Sequence, residues 1–418
     1  MGPPAIAPHA DTRALSRATL DDEHPLLSAV ILDKREQFVL NELPKIATPV
    51  EIASRLRKTL NPERARAVAA HHALRAKRRQ SSKDGRIRYL TARGLEQATA
   101  AVVAKWRARI LGNSMMGQTL WDATCGLGAD SLALHDEGHE VVSSDLDPTT
   151  AWCARENLLE AGRNARVIRC DARSQAVRAQ WLLLDPDRRV GGRRTHDADA
   201  WSPTLAEVAA LMERFEGGCV KLAPGLECPE DLLNAGRATW VSVRRELKEL
   251  GLWFGGEEGE PGSRQVVSLS REGESHAFVA EPRDVAAWSP EEAARIPWLA
   301  DPDPGLVRSG LLGALCAEEG ARPLAPQLAW VGSEERPRSP LLKARRVLGS
   351  CPVDRKHVRR LLAEHDVGPL EVWKRGHPAP AEESARRFQG TGRRRGILAL
   401  GRLEKGHRAW LLDPEDRA

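Results

Sequence analysis

The chain has 418 residues, too many for a single hydrophobic core, so two or three domains are expected. Its composition, 41% hydrophobic and 29% charged, is typical of a globular protein. The seven cysteines form no Cys-x-x-Cys pair, which excludes a zinc ribbon, and no metal is expected. We find neither a secretory signal nor an apolar run near the roughly 20 residues of a membrane span, so we expect a cytoplasmic protein that does not contact a membrane.

The net charge is +5, and the basic residues are unevenly distributed. They are concentrated in residues 75–88 and in short runs of the C-terminal third, such as 355–360 and 393–395. Segregated positive charge predicts a nucleic-acid partner, because it matches the charge of a phosphate backbone. The alternative interpretation is an arginine-rich surface that contacts only solvent.

The N-terminal part is predicted to be helical. Residues 1–22 are rich in Ala, Pro and polar residues and are expected to be poorly ordered. Residues 23–112 form the predicted helical domain, in which Thr48-Pro49 has the pattern of a helix start. Apolar residues recur at helical spacing over 95–111, which predicts one helix there, after a polar loop at 81–88.

Strands and helices alternate in the predicted domain 113–325, which favours an α/β fold with a parallel sheet and right-handed crossovers. The predicted strands are 120–125, 139–144, 165–170, 181–184, 218–222, 239–243 and 265–270, and the predicted helices are 130–137, 149–161, 203–215 and 229–236. Asp303-Pro304 is expected to begin a further helix at 305–316. A small α+β domain is predicted for 326–418.

A glycine loop between the first strand and its helix predicts a nucleotide-type site. Gly126 and Gly128 follow a strand that ends near Asp122, and the next strand ends near Asp145. A dinucleotide loop would have a third glycine where Ser131 stands. Nearby carboxylates would also repel a pyrophosphate, and the Gly-Lys-[Ser/Thr] of a P-loop is absent.

S-adenosylmethionine suits these residues better, since it has no phosphate and carries a sulfonium, an ammonium and a ribose diol. We expect Asp122 to lie near the methionine part and Asp145 to bind the ribose hydroxyls. Asp171, after the third strand, would accept a hydrogen bond from the adenine amino group. Acids at three successive strand ends are more specific than the glycines alone.

The predicted acceptor site follows the fourth strand, at Asp185-Pro186-Asp187. Its fixed carboxylate, and a backbone carbonyl with no neighbouring N–H, would accept hydrogen bonds from an amine and aim the nitrogen lone pair at a methyl group. An ordinary Asp-Pro turn is the structural alternative. Arg188 and Arg189 would contact substrate phosphates.

These motifs resemble class I methyltransferases, in particular the RNA cap guanine-N2 type exemplified by trimethylguanosine synthase. The whole chain is similar to bacterial methyltransferases with a C-terminal THUMP-like domain, which implies a Rossmann-like sheet and a structured RNA as substrate. The resemblance also implies that Gln97 and Thr99, on the helix before the sheet, cover the cofactor. The predicted cofactor-binding residues are Gln97, Thr99, Asp122, Cys125, Gly126, Gly128, Asp130, Asp145, Leu146, Asp171 and Ala172.

The acceptor motif departs from the amine methyltransferase pattern, in which proline and an aromatic ring follow Asp-Pro. Asp187 and Arg188 stand there instead, so Arg188 or Trp201 would have to stack on the base. A uracil-C5 methyltransferase remains an alternative, with Cys228 as its nucleophile. So do a protein methyltransferase and an RNA-binding protein with a degenerate methyltransferase core.

Overall fold

The computed structural model describes residues 48–115, 117–174, 176–187, 189–190, 193–194, 201–226, 229–404 and 406–415. The predicted disordered tail and residues 23–47 of the helical domain lie outside these ranges, as do Arg188 and Cys228. The chain divides into two compact units, residues 1–237 with 251–262 and residues 238–250 with 263–418. The domain boundaries expected near residues 112 and 325 do not coincide with this division and stay predictions.

Among the described residues, four helices precede the sheet of the first unit: α1 (Pro49–Leu56), α2 (Pro62–Arg79), α3 (Ala92–Gln97) and α4 (Ala101–Ser114). The predicted start of α1 is confirmed, because Thr48 and Glu51 form a reciprocal capping box and Pro49 is the first helical residue. Residues of α1 and α2 share a small core, which includes Ile52, Leu56 and Val68.

The single helix expected over 95–111 is wrong, since α3 ends at Gln97 and α4 begins at Ala101. Ala98 and Ala100 have extended backbone conformations, with ψ of 138° at both. Thr99, between them, donates its hydroxyl to the buried carboxylate of Asp130 at 2.5 Å. Helical periodicity continues across the break, so the periodicity could not reveal it.

Five parallel strands form the centre of the first unit, with the hydrogen-bonded order β3-β2-β1-β4-β7. The strands are β1 (Thr119–Asp122), β2 (Glu140–Asp145), β3 (Val167–Arg169), β4 (Trp181–Leu184) and β7 (Gly217–Leu222), and β5 (Arg189–Val190) pairs with β6 (Arg193–Arg194) as a separate ribbon. The helices between them are α5 (Ala129–Asp136), α6 (Pro148–Glu160), α7 (Leu205–Met212) and α8 (Glu230–Leu233).

The register of this sheet brings the predicted site residues to one edge. Asp122 is paired with Ser143 of β2 on one side and Leu183 of β4 on the other. Because parallel strands end at the same edge, Asp122, Asp145 and Asp185 lie at or just beyond neighbouring carboxyl ends. The predicted alternation of strands and helices is therefore confirmed in this region, with bounds that differ from the predicted ones by at most three residues.

The second unit contains most of β8 (Arg237–Val243), the first five residues of β9 (Glu246–Phe254), β10 (Arg264–Leu269) and β11 (Ser275–Ala280). β10 is parallel to β8 and antiparallel to β11. β9 and β11 were not predicted from the sequence. β11 exposes four of its six residues.

A seven-stranded sheet completes the second unit, with the order β13-β14-β12-β15-β18-β17-β16. Its strands are β12 (Trp298–Pro302), β13 (Ala321–Ala325), β14 (Leu328–Ser333), β15 (Leu342–Pro352), β16 (Val367–Arg375), β17 (Arg394–Leu403) and β18 (Gly406–Leu412). The helices are α9 (Pro290–Ala293), α10 (Pro304–Ser309), α11 (Leu312–Glu318), α12 (Arg355–Glu364) and α13 (Ala381–Phe388).

The helix expected at 305–316 is two helices, because Gly310 adopts a left-handed conformation with φ of 77° and ends α10. Its predicted start is confirmed: the Asp303 carboxylate accepts the Gly305 N–H at 2.9 Å. The predicted α+β character of 326–418 also holds, although β12 and β13, in the same sheet, begin earlier in the chain.

Candidate functional site

The glycine loop connects β1 to α5 by a tight turn. The Cys125 N–H donates to the Ser144 carbonyl at 2.8 Å, and the Gly128 N–H donates to the Cys125 carbonyl at 2.8 Å. Gly126 and Gly128 have φ of 55° and 81°, a region that side chains with a Cβ rarely adopt. The loop therefore requires glycine at both positions, whatever it binds.

Asp145 lies beside this loop at the end of β2. Its carboxylate accepts the Gly126 N–H at 3.1 Å and the Asp147 N–H at 2.9 Å. Burial raises the pKa of Asp145 to about 6, against the opposing effect of those two hydrogen bonds. Each carboxylate oxygen has a second lone pair, which fits the diol of a ribose. The next residue, Leu146, is 56% exposed and offers an apolar surface suited to an adenine face.

Asp122 is buried at the end of β1. Ser131 donates its hydroxyl to the Asp122 carboxylate at 2.5 Å. Burial, and then the negative charge of Asp130, raise the pKa of Asp122 to about 7. A cationic group placed here would favour the ionised form, which fits the methionine part of the cofactor expected from the sequence.

Asp130, in the first turn of α5, is buried in an ionic network. Its carboxylate accepts hydrogen bonds from Thr99, from Arg107 on α4 and, at 3.3 Å, from Lys221 on β7. Burial alone would raise the pKa of Asp130, but Arg107 and Lys221 outweigh it and lower the pKa to about 2. The structure thus brings the predicted residues Thr99 and Asp130 into direct contact.

Asp185 joins the same network from the end of β4. Lys221 donates to the Asp185 carboxylate at 2.5 Å, and the Asp185 N–H donates to the Thr124 hydroxyl at 2.6 Å. The Asp185 side chain is 34% exposed, and Pro186 is buried. The acceptor carboxylate is therefore anchored on one side and open to solvent on the other.

Lys221 and Arg107 are buried charged residues of this site that were not predicted from the sequence. Each left a signal. Lys221 is the one charged residue of an otherwise apolar, buried strand. Arg107 falls four residues after Val103 and four before Leu111, on the buried face of α4. A charge on an apolar face indicates a buried partner of opposite charge.

The second predicted acid of the acceptor motif contacts α3. Asp187 accepts hydrogen bonds from Arg93 and, at 3.1 Å, from Gln97. Asp187 also exchanges two backbone hydrogen bonds with Ser202. Gln97, predicted to cover the cofactor, thus reaches the acceptor loop. The neighbouring Trp201 is 3% exposed, so in this conformation its ring has no open face for a base.

The remaining predicted residues are placed less specifically. Asp171 follows β3, but the backbone N–H and the guanidinium of Arg173 donate to both of its oxygens. Ala172 is buried beside it. Burial raises the pKa of the Cys125 thiol well above its ordinary value, so this cysteine is not a thiolate nucleophile. Only the backbone of Arg189 is described.

Among the described residues, no group of three or more His, Cys, Asp or Glu side chains could hold a metal ion. Within the same ranges, no helix is both long and apolar enough to cross a membrane.

Known proteins resemble the chain in sequence and in fold. Residues 343–414 match the THUMP domain-like family. Two curated proteins from Mycobacterium tuberculosis, from strains CDC 1551 / Oshkosh and H37Rv, are called uncharacterized S-adenosylmethionine-dependent methyltransferases. Each is 32% identical over 320 residues, which cover 76% of this chain and 85% of the relative. A provisionally assigned methyltransferase from Porphyromonas gingivalis W83 has the same fold, with a TM-score of 0.71, 19% identity and coverage of 93% of this chain and 98% of that one.

Replacing Asp145 with Ala should weaken the binding of S-adenosylmethionine at least about tenfold, because hydrogen bonds to a charged group contribute roughly 1.5–3 kcal/mol. Calorimetric titration measures the change in Kd. Glu140→Ala, at the opposite end of the same strand, is the matched control and should leave the Kd unchanged. Equal affinities of Asp145→Ala and wild type would contradict the assignment of the ribose site.

The raised pKa of Asp122 predicts a pH-dependent stability. Between about pH 4 and pH 7 the folded protein keeps a proton that the unfolded chain releases, so stability falls as the pH rises through this window. Asp122→Asn removes this effect, so its melting temperature relative to wild type should increase from pH 5 to pH 8. Asp136→Asn is the control: Asp136 has a lowered pKa, and its variant should be destabilised equally at both pH values. Parallel pH profiles of wild type and Asp122→Asn would refute the assignment.

Proposed function

The chain belongs to the S-adenosylmethionine-dependent methyltransferases that carry a THUMP-like domain, and on this premise we propose that it methylates an exocyclic base amine of structured RNA, with guanine N2 as the favoured acceptor. The predicted fold class, reaction class and cofactor are confirmed by the same relatives and by the related fold. The substrate and the acceptor atom are the proposal.

The observation that carries the proposal is the position of Asp185-Pro186. The dipeptide follows β4 directly, and the Asp185 N–H is bonded to Thr124 of the glycine loop. An acceptor bound here would therefore lie beside the cofactor loop. Lys221 binds Oδ2 of Asp185, and no described residue donates a hydrogen bond to Oδ1. Oδ1 and the neighbouring backbone carbonyl are suited to accept the two protons of an amine.

An exocyclic amine needs this help because its lone pair is delocalised into the base. Hydrogen bonds that hold both protons would aim the lone pair at the methyl group, which is catalysis by orientation. The bound cofactor supplies an electrophilic methyl group on its sulfonium. Asp185 would stabilise the positive charge that develops on the amine and would accept the proton that the amine releases.

An arginine cluster on the first unit supports RNA as the substrate. We define it as Arg75, Arg78 and Arg79 of α2 together with Arg88. Burial, and then the charges of the other members, lower the pKa of Arg75, and burial and the same neighbours lower that of Arg78. The buried Nε atoms of both side chains have no hydrogen-bond partner. Arg88 is also paired with Glu160 at 2.9 Å, so Arg75 and Arg78 are the members whose charges a phosphate backbone would stabilise most.

The THUMP-like segment supports the same substrate, since THUMP domains bind structured RNA. A protein substrate would not explain why the arginines are grouped.

Asp185→Asn should reduce methyl transfer to RNA on the order of 100-fold, because one preorganised acceptor of transition-state charge is lost. We would measure transfer from tritiated S-adenosylmethionine to RNA extracted from cells that lack the gene. Cofactor affinity should change less than about twofold, because Asp185 acts on the acceptor. Glu213→Gln, a surface carboxylate on the same unit, is the matched control. Unchanged transfer by Asp185→Asn would refute the acceptor assignment.

The arginine cluster should set the salt dependence of RNA binding. Replacing Arg75 and Arg78 with Gln should reduce the slope of log K against log salt by about 1.4 to 1.8, since each phosphate contact contributes about 0.7 to 0.9. Filter binding at several salt concentrations gives the slope. Arg57→Gln with Arg66→Gln, two exposed arginines outside the cluster, is the matched control. Equal slopes for both pairs would count against phosphate binding by the cluster.

A further inference from the structure

Lys221 connects the acceptor carboxylate with the segment expected to cover the cofactor. Its side chain is 10% exposed. The ammonium lies 2.5 Å from Oδ2 of Asp185, 2.9 Å from Oγ1 of Thr99 and 3.3 Å from Oδ2 of Asp130. The ammonium, which carries three protons, thus lies within hydrogen-bond distance of three described acceptors.

The contacts are directional. Thr99 uses its own proton for Asp130, so its oxygen accepts from Lys221. The other oxygen of Asp130, Oδ1, accepts a hydrogen bond from Arg107. Arg107 therefore already supplies a counter-charge to Asp130, whereas Lys221 is the one described cation that contacts Asp185. If Lys221 served only to neutralise Asp130, its ammonium would not need to lie closer to Asp185, at 2.5 Å, than to Asp130, at 3.3 Å.

We propose that Lys221 is a positioning residue for methyl transfer, which holds Asp185 by Oδ2 so that Oδ1 faces the acceptor amine. The proposal rests on the proposed role of Asp185. A carboxylate at the end of a strand can rotate about two side-chain bonds, and a short ionic hydrogen bond to one oxygen removes that freedom. Because Lys221 is itself anchored by Thr99 and Asp130, the orientation of Asp185 depends on the elements that hold the glycine-loop helix.

A double-mutant cycle separates this role from a structural one. Lys221→Met should lower kcat for RNA on the order of 100-fold and leave the KM for S-adenosylmethionine within about threefold. In the Asp185→Asn background the same change should lower kcat less than about threefold, because Lys221 acts through Asp185. Lys221→Gln, which keeps one N–H donor without the charge, should retain more activity than Lys221→Met and serves as the second variant if Lys221→Met does not fold.

Arg107→Met is the matched control, since it removes a buried cation from Asp130 without touching Asp185. Its effect on kcat should be the same factor in the wild-type and Asp185→Asn backgrounds. If Lys221→Met lowered kcat by the same factor in the wild-type and Asp185→Asn backgrounds, the positioning role would be overturned. Loss of activity in Lys221→Met with coupling to Asp185 would support it.

A crystal structure of Lys221→Met, or of Lys221→Gln, with S-adenosylhomocysteine tests the same claim without RNA. The Asp185 carboxylate should rotate or become disordered, and an unchanged position would overturn the inference. The two proposals fail separately. If Asp185→Asn transfers methyl groups to RNA as wild type does, or if wild type does not methylate RNA, the proposed function fails while the crystal structure still decides the position of Asp185.

Discussion

The buried ionic network around Asp130 is the interaction on which the rest of the site depends. It joins α5, α4, β7 and the extended residues between α3 and α4 through the side chains of Asp130, Arg107, Lys221 and Thr99. A buried carboxylate without partners would cost several kcal/mol, so these side chains stabilise Asp130 in its buried position. The network therefore explains both the interrupted helix before the sheet and the anchored position of Asp185.

The acids of the site differ in charge state because their surroundings differ. Two cations lower the pKa of Asp130 to about 2, whereas Asp122, equally buried but bonded to a neutral serine, has a pKa near 7. The pKa of Asp145, held by two backbone N–H groups, is about 6. At neutral pH Asp130 is therefore ionised in the folded protein, whereas Asp122, with a pKa near 7, would gain charge when a cationic ligand binds. This difference suits a sulfonium cofactor and would oppose a pyrophosphate.

Much of the fold near the site was predictable from local pattern. Strand ends and the glycine turn depend on residues adjacent in the chain, so Asp122, Gly126, Gly128 and Asp145 could be placed from sequence alone. The partners of Asp130 could not, because Arg107, Lys221 and Thr99 reach it from three other places in the chain. The break at residues 98–100 was missed for the same reason: a tertiary contact of Thr99 overrides a helical periodicity. Trp201 is an opposite case. Its position in the sequence suggested a ring that could stack on a base, but the ring is buried in the fold.

The acceptor is the central claim, and nucleoside analysis tests it most directly. Mass spectrometry would compare the modified nucleosides of RNA from cells with the wild-type gene, with the Asp185→Asn gene and without the gene. We expect a base methylated on its exocyclic amine, such as N2-methylguanosine, that is present only with the wild-type gene. Identical nucleosides in all three samples, or a difference confined to 5-methyluridine, would contradict it.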